Sequence, residues 1–174
     1  MDICAVEMNG LLSQMALKRL HAEWSKWQKD DMTHISASPV MAKEIAPNGK
    51  VVEEPDMFRW VATIVGPERT PYEGGIFKLQ IDIPDKYPMV PPSVKFVTKI
   101  YHPNISTEGI ICLDILKHMW SPALDLAKTL LSILSILSDP NAKDPLNGEA
   151  GRSYLQDRPT FDSTAREWTR QYAQ

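Results

Sequence analysis

The chain has 174 residues, 43% of them hydrophobic and 24% charged, which suits one globular domain able to bury roughly 70% of the surface its unfolded form would expose. A net charge of −3 supplies no basic stripe for nucleic acid, so a protein partner is the better expectation. Two cysteines, Cys4 and Cys112, make no disulfide framework and fit a reducing compartment, cytosol or nucleus.

Met1 to Gln14 carries Asp2 and Glu7 and only a short apolar run, Ile3 to Val6. It lacks the basic and long apolar regions of a secretory signal and reads as an extension, residues 1–14, ahead of a domain at 15–174. Leu17, Leu20, Trp24 and Trp27 then recur at spacings of three, four and three, one face of an amphipathic helix with Ser13 as its expected N-cap and Lys18 and Arg19 on its flank. Residues 41–55 hold a turn signal, Pro47-Asn48-Gly49, with Val51-Val52 beyond it. They read as a hairpin arm inserted between the first two strands, either a partner contact or a plain exposed loop.

From Phe58 the period becomes two: Phe58, Trp60, Ala62 and Ile64 face one way, Arg59, Val61 and Thr63 the other, as in a half-buried strand. Phe77, Leu79, Ile81 and Ile83 repeat the pattern, and Val94 and Phe96 mark a further strand. Short links between strands, followed by helices, predict an α+β fold with an antiparallel meander. Leu126, Leu130, Ile133, Leu134 and Leu137 form the apolar face of a central helix stopped by Asp139-Pro140. Asp157 can cap a last helix, with Pro159 in its first turn and Phe161, Ala165, Trp168 and Tyr172 along one face. The apolar stretch Thr129 to Leu137 is too short to span a bilayer, so no membrane is expected.

Lys99 to Trp120 lacks sustained periodicity and reads as a structured loop holding His102, Asn104, Cys112, Asp114 and His118. A thiol between Ile111 and Leu113 is, on residue type alone, more often a buried, inert small hydrophobe than a nucleophile. No paired-ligand spacing supports a metal site. A Cys-His hydrolase would need His102 or His118 at the sulfur, and neither protease signature surrounds Cys112. Asn104 cannot take a proton from sulfur but can donate a hydrogen bond, which fits acyl carriage on the thiol better than hydrolysis.

Tyr87-Pro88-Met89-Val90-Pro91-Pro92, His102-Pro103-Asn104, Cys112-Leu113-Asp114 and Trp120-Ser121-Pro122-Ala123, in this order and spacing, resemble the ubiquitin-conjugating enzymes. The resemblance covers Met15 to Gln174 apart from the arm at 41–55, and Ala165 to Thr169 is similar to the broad-specificity stress-type subgroup. It implies that fold: an N-terminal helix, a four-stranded antiparallel meander, a central helix and C-terminal helices.

The resemblance implies that an activating enzyme spends ATP to load ubiquitin and passes it to Cys112 as a thioester, with no cofactor on this chain. Ubiquitin then goes to a substrate lysine or a ligase cysteine. Sulfur is nucleophilic enough for thiol exchange without a dedicated base. Aminolysis is harder, and the resemblance gives Asn104 the oxyanion-donor role, worth roughly 3 kcal/mol; bracing of its loop is the alternative. Asp144 matches the acidic position that assists the incoming lysine, although Asp144-Pro145 is also a turn dipeptide. Asp114, Asn141 and Leu146 match positions lining the site, and His102 and Pro103 the structural part of the motif.

Lys18 and Arg19 match contacts with the activating enzyme and ligases, Ser121, Pro122 and Ala123 a ligase loop, and Ser36 a non-covalent ubiquitin contact. Met89-Val90 departs from the subgroup, where an aromatic and a basic residue usually centre the ligase footprint, so the choice among RING-type or HECT-type ligases is expected to differ. The expected protein is a monomer. Two rivals stay open: a conjugating enzyme for a ubiquitin-like modifier, and a non-catalytic ubiquitin-binding adaptor of the same fold.

Overall fold

The computed structural model describes residues 3–30, 32–45, 47 and 49–174, without the side chains of 3–9 and 44. Cys4's thiol and Asn48 of the expected turn therefore lie outside the described residues. Helix α1 spans Ile3–Trp27, followed by strands β1 (Ile35–Ile45), β2 (Val51–Val65), β3 (Ile76–Asp82) and β4 (Ser93–Phe96), then helices α2 (Leu126–Ser138), α3 (Gly148–Gln156) and α4 (Arg158–Tyr172). The sheet is a four-stranded antiparallel meander in the order β1-β2-β3-β4. No helix among the described residues is long and apolar enough to cross a membrane.

The alternation read from β3 and β4 holds: Phe77, Leu79, Ile81, Val94 and Phe96 are buried while their neighbours face out. In β2, Trp60, Ala62 and Ile64 are buried, but Phe58 is not the inward residue expected. The β1–β2 register shifts between Pro39 and Val40, whose partners are Trp60 and Asp56. This bulge changes the parity of β2, so Met57 enters the core and Phe58 is left half-buried. Beyond it the arm is a regular hairpin, Met41 pairing with Pro55 and Ile45 with Val51.

The inner face of the sheet packs against Leu126, Leu130, Ile133 and Leu137 of α2 in one core cluster, consistent with the apolar face read from the sequence. Asp125 caps α2 by accepting from the Lys128 N–H, and Asp157 caps α4 by accepting from Thr160, each cap contributing about 1 kcal/mol. Ser13 is not an N-cap. It lies within α1, which runs unbroken across the boundary at residue 15, because Ala, Met, Leu and Glu upstream are good helix formers.

Candidate active site

The loop between β4 and α2 is fastened before it reaches the thiol. Gly109 has φ 84° and a Cβ there would meet Phe96 O at 2.0 Å, so only glycine allows the close approach that lets Gly109 O accept from the Phe96 N–H at 2.9 Å. Isolated bridges tie Ile105 to His102 and Ile111. Ile111 is buried, yet Cys112 is partly exposed. Its N–H donates to Asn104 O at 2.8 Å, which sets the Cys112 and Asn104 backbones side by side. Being partly exposed, Cys112 is not one of the core residues.

His102 is fully buried. Its Nδ1 accepts the Asn104 N–H at 2.9 Å, so Nε2 carries the proton and donates to Ile136 O at 2.8 Å, at the end of α2. Burial pushes its pKa down from 6.5 to about 4, keeping the ring neutral. Both ring nitrogens are engaged away from the sulfur, and His118 is exposed. Pro103 O accepts from the Leu146 and Asn147 N–H groups at 2.8 and 2.9 Å.

The Asn104 side chain closes the circle. Oδ1 accepts from the Asn141 N–H at 2.8 Å, which fixes the amide's orientation. Of the two Nδ2 hydrogens, one donates to Asn141 O at 2.9 Å and the other reaches Asp144 O only at 3.5 Å. His102, Pro103, Asn104, Cys112, Asn141, Asp144 and Leu146 are therefore gathered from three stretches of chain. The Asp144 side chain and Leu146 are exposed. Asp114 opens a single 3-10 turn, Asp114–Leu116, and its carboxylate accepts from the Ile115 N–H.

The expected partner-facing residues divide. Lys18, Met89, Ser121, Pro122 and Ala123 are exposed, and Ser36 is exposed on β1 opposite Thr63. Arg19 instead is engaged within the molecule: it donates to Pro122 O at 3.2 Å and Leu124 O at 2.8 Å and pairs with Glu23 at 2.6 Å. Glu23 also accepts from Tyr87 Oη at 2.7 Å and the Leu126 N–H at 2.9 Å. Trp120 Nε1 donates to Pro88 O at 2.8 Å. Glu23 and Lys117 escaped the sequence reading, since a lone charged residue on a helix or loop carries no periodic signal.

The sequence profile of the ubiquitin-conjugating enzymes matches residues 19–169. Among solved structures, a candidate ubiquitin-conjugating enzyme from Plasmodium yoelii is 44% identical, covering 90% of this chain and 94% of its own, with a TM-score of 0.76. The E2 domain of a Toxoplasma gondii ubiquitin-conjugating enzyme is 44% identical, covering 91% of this chain and 99% of its own, with a TM-score of 0.75.

Proposed function

The chain belongs to the ubiquitin-conjugating enzyme family and is a transferase of that class; from that premise we propose that Cys112 accepts ubiquitin as a thioester and passes it to lysine. The observation that carries this reading is a partly exposed thiol whose backbone is bonded to Asn104. Thiol exchange forms the new C–S bond as the activating enzyme's thiolate leaves, and needs no base on this chain. ATP is consumed at the activating enzyme.

Transfer makes the sharper demand. When an amine attacks, negative charge develops on the carbonyl oxygen, and a preorganised donor lowers that barrier. The Asn104 Nδ2 hydrogen that lies 3.5 Å from Asp144 O makes only a long bond there, so the amide, held in plane by Asn141, donates it to the developing oxyanion when that oxygen comes within reach. Bracing and donation are thus compatible. Asp144, exposed on the same loop, serves as the carboxylate that orients the incoming ammonium and eases loss of its proton. Met89, Ser121, Pro122 and Ala123 offer the ligase-facing surface for RING-type or HECT-type partners, Lys18 faces the activating enzyme, and Ser36 marks a second ubiquitin contact. Arg19 holds the 122–124 loop from within, and its side chain, 32% exposed, adds to the surface that faces the activating enzyme and ligases.

Incubation with activating enzyme, ATP and ubiquitin should give an adduct that reductant removes. Cys112→Ala should give none and Cys4→Ala should load normally. An adduct retained by Cys112→Ala, or loading only with another modifier, overturns the reading.

A further inference from the structure

Two lysines stand at the rim of the thiol site, brought there by separate stretches of chain. The 3-10 turn Asp114–Leu116 reverses the chain after Leu113, and the Lys117 N–H donates to Asp114 O at 2.9 Å, which brings Lys117 Nζ to 3.4 Å from Cys112 Sγ. Lys143 comes from the loop that follows α2. It lies between Asn141 and Asp144, whose carbonyl oxygens are 2.9 and 3.5 Å from Asn104 Nδ2, and the Asn104 carbonyl in turn accepts from the Cys112 N–H. Buried Ala142 anchors this loop, while Lys143 and Asp144 are exposed. Among the described residues neither Lys117 nor Lys143 enters an ion pair.

The carboxylates of the same rim are committed elsewhere. Asp114 accepts from the Ile115 N–H at 2.8 Å, and Asp144 is the group assigned to the incoming ammonium. An acceptor segment thus meets one acidic group for its lysine and two cations that its neighbouring residues must face. Like charge beside that lysine is repelled and opposite charge attracted. Resting on the assignment of Cys112 as the ubiquitin carrier, we propose that Lys143 and Lys117 make the enzyme select acceptor lysines flanked by aspartate or glutamate. The acceptor ammonium lies toward Asp144 and its flanking carboxylates toward the two cations. Transfer itself follows the same course for every acceptor: the deprotonated amine forms the C–N bond, the C–S bond breaks, and Cys112 leaves as thiolate. An exposed ion pair favours the acidic segment by up to about fivefold, so two of them together separate acidic from basic flanks by roughly tenfold.

The test chases preloaded enzyme, without ligase, with three acetylated pentapeptides whose central lysine is flanked on both sides by Glu, by Ser or by Arg. Discharge should be fastest with Glu and slowest with Arg, the two differing by about tenfold, and the spread should shrink as sodium chloride is raised to about 0.5 M. The quantity compared is the Glu-to-Arg ratio within each enzyme, in which any change in loading cancels. Lys143→Glu and Lys117→Glu should each lower that ratio by about fivefold, and the double variant should invert it. Equal rates for the three peptides, an order that salt leaves untouched, or a ratio that survives either substitution overturns the inference while the carrier role of Cys112 stands. If no reductant-sensitive adduct forms in the loading step, both fall.

Discussion

His102 fastens its loop as a neutral imidazole, and its chemistry has a thermodynamic cost at low pH. Between pH 6.5 and about 4 the unfolded chain takes up a proton at this ring that the folded chain refuses, because burial disfavours the charge. The stability it contributes is complete above pH 6.5 and is lost as pH falls toward 4, by roughly 3 kcal/mol in all. Urea unfolding at pH 7 and pH 5 should therefore show wild type losing about 2 kcal/mol more than His102→Gln; parallel losses would contradict the assignment. Asn104 is the companion case. Residue type left its oxyanion and bracing roles open, and only the placement of residue 141 beside it showed that both ends of the amide are engaged.

Elements with one clean period were legible before any coordinates. β3, β4, α2 and α4 each carry an unbroken apolar repeat, and Asp157 and Pro159 mark the start of α4. The β2 bulge was not, because register is set by pairing with β1 and leaves no trace in the order of side chains. Helix α3 also went unread. Gly148 and Gly151 lower its intrinsic propensity, and its cap, Asn147 accepting from the Ala150 N–H at 3.2 Å, is the signal that could have revealed it. Gly151 is there for packing: a Cβ would come within 2.5 Å of Pro145 Cβ. Gly151→Ala should lower the unfolding free energy by about 1–3 kcal/mol and slow transfer to lysine more than loading, since Pro145 follows Asp144. A midpoint in urea unchanged from wild type would contradict this.

At the scale of the whole molecule, one carboxylate joins parts of the chain far apart in sequence. Glu23 binds Tyr87, 64 residues away, and Leu126, 103 residues away, while its partner Arg19 holds the backbone at Pro122 and Leu124. The first helix, the Tyr87-Pro88 loop and the segment leading into α2 are thereby set in one arrangement, which presents Met89 and residues 121–123 together. Nothing in the amphipathic pattern of α1 distinguishes such a residue from a solvated one. Glu23→Ala leaves Tyr87 Oη, the Leu126 N–H and Arg19 Nε without their acceptor and should cost about 2–4 kcal/mol, read from urea unfolding; a loss below about 1 kcal/mol would show the hub to be incidental. In the proposed reaction this assembled loop system accepts ubiquitin on Cys112 and hands it to an amine, with Asn104 stabilising the transition state. A single-turnover chase of the preloaded enzyme with free lysine tests it most directly. Wild type should convert its thioester to ubiquitin–lysine at a rate that rises with lysine. Asn104→Ala should load close to normally and discharge about 100-fold more slowly. A thioester indifferent to lysine, or equal losses in loading and discharge, would contradict the account.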